Sequence, residues 1–406
     1  MTSGPALFDS AALARPLGVP LVAAVLAAAL TFVLSLAVAR VSRKRGWLDM
    51  PADRRIHVRP VPRLGGVAIF LSFLTVSLLL YRPHGSHESH VYVGLVLAAV
   101  LVVAVMVYDD VRGLPPWPRL AVQTVAALIV MFPGAQGTII EVIHNPFLAA
   151  SHSRTFLVWW VAVPFTWFWI VGMMNTINWM DGADGLAGGV VTITATVMAV
   201  ISWLLGQPGP ALLCAILAGA TLGFLPLNWH PARLFMGDSG AMFLGLALAV
   251  LSNVGGAKLA TMLLLLGVPI LDTARVIVRR MRQGRSPLHF DKSHLHHRLL
   301  AGGFSQRQIA VLFYVVTAVF GGLTILAAYL EVHIGGGSHL HARLLPWLDI
   351  AASEVPTLVG LVLVAAAMGG ILTLAIWRRS YLKRHRPWVL PPSGSSSHNR
   401  IPVPTH

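Results

Sequence analysis

Cysteine is almost absent: Cys214 is the single one among 406 residues, and it lies inside an apolar run. That excludes a disulfide framework and a thiolate metal site, and leaves Cys214 a small packing residue. Charge is scarce too. Only 11% of residues are charged against 56% hydrophobic, and the mean hydropathy is +0.73, which excludes an ordinary soluble domain and points to a polytopic membrane protein. The formal net charge of +15 invites a nucleic-acid partner, but of 30 Lys and Arg seven lie in 43–63, seven in 279–307 and six in 378–400. These are loops and a tail, not a continuous basic face, so no nucleic acid is expected. No internal repeat is visible either, which argues against a transporter built from inverted repeats.

What is present is a series of apolar runs. With about 20 apolar residues needed per crossing and some tolerance for shorter ones, spans are expected at 19–40, 65–81, 91–108, 119–132, 156–174, 187–205, 210–227, 241–255, 259–277, 308–330 and 357–377. The fold class is therefore all-α and polytopic, with eleven transmembrane helices in one domain over 19–377. Residues 21–39 end in Ala37-Val38-Ala39, which imitates a signal-peptide cleavage site. The cluster Arg43-Lys44-Arg45 follows the apolar run, however, and that order suits a retained first span. Basic loops orient the chain: 41–64, 109–118, 175–186, 228–240, 278–307 and the tail fall on the cytoplasmic side, with the N-terminus (1–18) outside and the C-terminus (378–406) inside. The tail after Pro391 is rich in Pro, Ser and His and reads as disordered. Between the fourth and fifth spans, Thr138 to Ile143 reads as a short strand of an outer hairpin.

Every suspicious polar cluster falls on the side of the basic loops, although only Lys and Arg were used to orient the chain. The densest is Gly172 to Gly189, GMMNTINWMDGADGLAGG. Asn175, Asn178, Asp181 and Asp184 recur every three residues, so the row drifts roughly 60° per step around an ideal helix. The first two or three can share a face, and Gly182 and Gly185 let the backbone turn so that Asp184 returns toward the same space. A cluster of helix caps is the competing explanation. Asp109 and Asp110 end the third span, where acids oppose the helix dipole, so a functional origin is favoured over a cap. Arg119 is placed to face them.

Asp238 lies between glycines at the start of a span, where an N-cap competes with a metal role. Carboxylate and amide oxygens suit Mg2+, and no Cys/His set suggests zinc. Arg54 and Arg55 in the first loop read either as attraction to lipid headgroups or as an anion site. His294, His296 and His297, in SPLHFDKSHLHHR with Arg285, Lys292 and Arg298, read as an anion cradle for a diphosphate, solvated loop histidines being the alternative. Acids for a divalent cation, cationic groups for phosphates and a site flush with the bilayer together suit phosphoryl transfer from a nucleotide-linked donor to a lipid.

The segments DRRIHVRPVPRLGG, DDVRGLPPWPRLAVQ, NTINWMDGADGLAGG, HPARLFMGDSGAMFLG and SPLHFDKSHLHHRLL, in matching order from Asp49 to Leu300, resemble the bacterial polyprenyl-phosphate N-acetylhexosamine-1-phosphate transferases. The resemblance is to the WecA-like group of the superfamily that also holds MraY. It implies transfer of a sugar-1-phosphate, usually from UDP-GlcNAc, to undecaprenyl or decaprenyl phosphate with release of UMP. It further implies the first membrane step of cell-envelope polysaccharide synthesis at the cytoplasmic face of the bacterial inner membrane, with Mg2+, or Mn2+ as a substitute, as cofactor. Carried over to matching positions, Asp238 and Asn178 would bind Mg2+, Asp109 would be the proposed base and Asp110 would support the site. Asp181 and Asp184 would line the donor site with Asn175, and His294, His296 and His297 would hold phosphate and sugar with Arg119, Arg54 and Arg55. A homodimer is one assembly it admits. Arg55 and Arg119 stand where the family commonly has Lys, so a lysine-specific role does not carry over. The His-Leu-His-His run after Asp291 separates the chain from relatives that transfer phospho-MurNAc-pentapeptide, which remain the nearest alternative. A lipid or ion transporter is the alternative from another class.

Overall fold

The computed structural model describes residues 18–50, 59–132, 138–144, 154–254, 258–286, 291, 293–334, 370 and 373. Arg54, Arg55, Lys292 and the tail lie outside them, as does the expected span 357–377 apart from Gly370 and Thr373. An apolar run in a bilayer must satisfy its own backbone hydrogen bonds, and helix is the state that does so within one segment. The order is α1 (Gly18–Arg45), β1 (Leu48–Asp49), β2 (Val61–Pro62), α2 (Gly65–Leu80), α3 (Gly85–Arg112), α4 (Pro116–Met131), β3 (Val142–His144) and β4 (Arg154–Phe156). It continues with α5 (Trp159–Met180), α6 (Leu186–Leu204), α7 (Pro208–Asn228), α8 (Gly237–Asn253), α9 (Lys258–Leu265), α10 (Gly267–Arg282), α11 (Leu295–Ala301) and α12 (Gln306–Ile334).

Helix occupies ten of the eleven expected spans. Six helices among the described residues, α1, α3, α5, α6, α7 and α12, are long and apolar enough to cross a membrane. The polytopic helical architecture is thus present, and six of the eleven expected spans are full-length crossing helices among the described residues. The ninth expected span, 259–277, is two helices that break at Leu266. Pro269 accounts for the break, because it has no N–H to donate and its ring collides with the carbonyl four residues back, that of Leu265.

The core is organised around α8. Every residue from Ser239 to Ser252 is buried, as expected of a helix that is apolar all round. It packs on α5, α3 and α2; Phe243 meets the rings of Phe70 and Phe73 edge-on at 5.3 and 5.5 Å. Gly245 lies against the backbone of Met173 and Met174 in α5. Any side chain there would push the two helices apart. α7 lies between α1 and α6, and α12 packs on α6.

Two small antiparallel ladders lie outside the helices. β3 pairs with β4, Val142 opposite Phe156 and His144 opposite Arg154, so the expected hairpin exists but begins later than Thr138. Its approach is fixed where Ile140 N donates to Thr166 Oγ1 of α5 at 2.8 Å. β1 pairs with β2, and two-residue strands carry no period by which a sequence reveals them. β2 matters for position: Phe235 N donates to Pro62 O at 2.9 Å, and Gly65 and Gly66 donate to Phe235 O and Met236 O. The first loop is thereby stitched to the segment that leads into α8.

Candidate active site

The site forms where α5 stops. Asp181 caps the helix, its N–H donating to Ile177 O and Asn178 O, and α6 restarts after Gly185, whose φ of 76° is left-handed. The two glycines divide the work differently from the expectation. Gly185 makes the turn, whereas Gly182 provides clearance, since a Cβ there would run into the imidazole of His296. Asn175, Asn178 and Asp181 then line a cavity of about 310 Å3, so three members of the row converge. Asp184 does not return to it. Its Oδ2 accepts from His230 Nδ1 at 2.7 Å and Ala232 N at 3.1 Å, lashing the 229–232 loop to the junction. Asn228 works beside it, accepting from Gly185 N and donating to Leu234 O.

The opposite wall comes from α8 and the end of α3. Asp238, in the first turn of α8, lines the cavity. It does not cap its own helix. Asp110 does, across from α3: its carboxylate accepts from Asp238 N (2.8 Å), Ser239 N (3.1 Å) and Ser239 Oγ (2.8 Å). A carboxylate at a helix N-terminus is favoured by the exposed N–H groups and the dipole. Asp110 therefore supports the site from behind, and the Asp238 carboxylate is left for the cavity. Asp109, 3% exposed, accepts from Leu114 N and pairs with Arg119; neither Asp109 nor Asp110 lines the cavity. Arg119 does, and it bridges the two elements, with Nε 2.8 Å from Asp109 Oδ2 and Nη1 2.9 Å from Asp238 Oδ2.

Histidines close the cavity. His294, His296 and His297 all line it, with Asp291 at its edge. The cradle is less cationic than its composition suggests. Burial first, then His297 and His294 nearby, push the His296 imidazole down to about 3, so it is neutral at ordinary pH. Its Nε2 is buried with no hydrogen-bond partner. Desolvation raises the Asp291 carboxyl, but hydrogen bonds from Ser293, Arg280 and Arg279 outweigh it and hold the group well below the usual carboxylate range. The arginines of α10 thus anchor the loop.

Sequence reasoning passed over three participants. Gln123 exchanges amide hydrogen bonds with Asn175, and Trp179 sits 5.6 Å from the His294 ring; both line the cavity. Asp272 accepts from His294 Nδ1 at 3.0 Å. An acid inside an expected span was the signal for Asp272. Gln123 and Trp179 carry no comparable mark.

Asn178, Asp181 and Asp238 offer the oxygen donors that a hard divalent cation takes, two carboxylates and an amide with room for ligand oxygens. Burial, then repulsion from Asp238, Asp110 and Asp184, pushes the Asp181 carboxyl well above its ordinary value. Such an excess of acid is what a bound cation relieves. The residues fit Mg2+.

The model of glycosyl transferase family 4 matches residues 92–256, which takes in both acid walls. A probable undecaprenyl-phosphate N-acetylglucosaminyl 1-phosphate transferase of Bacillus subtilis is 34% identical over 289 residues, 70% of this chain and 78% of the relative. A decaprenyl-phosphate N-acetylglucosaminephosphotransferase of Mycolicibacterium smegmatis is 36% identical over 300 residues, 66% of this chain and 72% of the relative. The undecaprenyl-phosphate alpha-N-acetylglucosaminyl 1-phosphate transferase of Escherichia coli is 27% identical over 310 residues, 71% and 79%. The family match over residues 92–256 and identity above three in ten across most of the Bacillus relative place this chain in the WecA-like polyprenyl-phosphate N-acetylhexosamine-1-phosphate transferases of glycosyl transferase family 4.

Proposed function

We propose that the protein transfers GlcNAc-1-phosphate from UDP-GlcNAc to a polyprenyl phosphate, with Mg2+, at the cytoplasmic face of a bacterial inner membrane. The observation that carries this reading is one cavity that joins oxygen donors from α5 and α8 to imidazoles of the 294–297 segment. The basic residues that close α1 and α10 support a cytoplasmic site, because they fall at the same end of the chain's helices as the cavity. In the reaction a lipid phosphate oxygen bonds to the phosphorus that carries the sugar, and the bond from that phosphorus to UMP breaks.

The obstacle is electrostatic, since a dianion must approach a diphosphate. A phosphate monoester has a second pKa near 6 and is mostly ionised at neutral pH, so a base has little to remove. Mg2+, when bound, supplies charge neutralisation and orientation of phosphate oxygens. Asn178, Asp181 and Asp238 would hold it, Arg119 orients Asp238, and Trp179 and His294 form the apolar and polar sides of the donor wall. Asp109, turned to Arg119 and Leu114, serves as an orienting group in this scheme. Purified protein with Mg2+, a polyprenyl phosphate and a panel of UDP-sugars, scored by UMP release, tests it. Release is expected with UDP-GlcNAc; none with any UDP-N-acetylhexosamine overturns the proposal.

A further inference from the structure

Asp272 belongs to no motif singled out above, yet it is 6% exposed on α10 and fully engaged. Its Oδ2 accepts from His294 Nδ1 at 3.0 Å and from Leu295 N at 2.9 Å, while Oδ1 accepts from Arg275 at 2.9 Å. Arg275 also donates to Ser293 O at 2.6 Å, so one acid and one arginine on α10 hold three consecutive residues at the entry to α11. An ionised carboxylate only accepts hydrogen bonds, so the ring nitrogen that faces it carries the proton. With Nδ1 committed in this way, Nε2 is the one ring nitrogen His294 has left for the cavity it lines. The Trp179 ring, tilted by 41° at 5.6 Å, and a nearly parallel His296 ring 6.0 Å away flank the imidazole and hold its plane.

The geometry points to Asp272 as a positioning residue that fixes the proton of His294 on Nδ1 and aims Nε2 at the donor. In the neutral ring Nε2 is then an acceptor for a sugar hydroxyl of the donor. Without Asp272 the ring can turn over or hold its proton on the cavity side. This rests on the transferase reading for its consequence, but not for the proton assignment.

Two measurements test it. The first is the 15N spectrum of histidine-labelled protein in detergent, with the His294 signals assigned by their loss in His294→Gln. A proton on Nδ1, in the neutral or the charged ring, is expected; a neutral ring with a bare Nδ1 overturns the proposal, and this needs no Asp272 variant to fold. The second is a double-mutant cycle on UMP release. Asp272→Asn is expected to lower kcat/KM by about 10- to 100-fold, and His294→Gln with Asp272→Asn is expected to be no worse than His294→Gln alone to within about twofold. Losses that multiply would show that Asp272 acts on the fold and not through His294. A wild-type protein that releases no UMP overturns the transferase reading, and the 15N result then still decides the assignment.

Discussion

Asp238 and Asp109 both pair with Arg119, but only Asp238 faces the cavity. Asp238→Asn is therefore expected to lower kcat by about 10²- to 10³-fold at every pH, the size of loss found when a group that stabilises transition-state charge is removed. Asp109→Asn is expected to lose less, and without rescue between pH 6 and 9. A loss in Asp109→Asn that high pH restores would identify a base after all. Gly182→Ala is a second residue-scale test: a methyl there meets the His296 ring, so turnover is expected to fall at least tenfold with little change in expression. His296 also carries a pH dependence. Folded, its imidazole sits near 3, whereas an unfolded histidine titrates near 6.5. Between those values the unfolded chain binds the proton and the folded chain does not, so stability falls as pH drops below about 6.5 and levels off near 3. From pH 6.5 to pH 5 the loss is about 2 kcal/mol, seen as a falling midpoint of thermal denaturation in detergent, and His296→Gln should flatten the slope.

At the scale of elements, legibility followed physical range. Long apolar runs announce helices because the bilayer enforces internal hydrogen bonding, and α1, α3 and α7 stand close to where their hydropathy puts them. Asn175, Asn178 and Asp181 were legible as a convergent row because a three-residue step keeps neighbours on adjoining faces. Asp184 was not, because its direction is set by His230 and Ala232, 46 and 48 positions away, and helical geometry says nothing about such partners. The means by which Asp110 supports the site was hidden for the same reason: α8 receives its cap from α3, a long-range pairing that only the packed structure reveals. That cap gives a prediction about an element. Asp110→Ala leaves the first N–H groups of α8 without an acceptor, and is expected to cost about 1–2 kcal/mol, read as a lower midpoint of thermal denaturation. The close packing of α8 on α5 at Gly245 gives another: Gly245→Val should separate the helices that carry Asp238 and Asn178, with UMP release lost before membrane insertion fails.

For the whole molecule, the sequence conveyed class, order of motifs and the sharing of one face by the polar clusters. It did not convey the break at Leu266 or the number of full crossings, since runs of 16 or 17 residues such as α2, α4 and α8 read equally well as spans or as buried core. Orientation is testable on the intact protein. Because Cys214 is buried, single cysteines placed at Gly284 and at Gly85 report their own surroundings to a membrane-impermeant thiol reagent in sealed, right-side-out vesicles. Labelling at position 85 without labelling at 284 is expected.

The burial of α8 on all sides also bears on how the chain is made. A helix with no lipid-facing side has nowhere to rest in a bilayer until its neighbours exist, and the three it leans on most, α2, α3 and α5, all precede it in the chain. Synthesis from the N-terminus therefore delivers the slot before the helix that fills it. When α8 slides in, Asp238 reaches Arg119 and Asp110 in the same event, so biogenesis completes the core and assembles the acid wall of the active site in a single step.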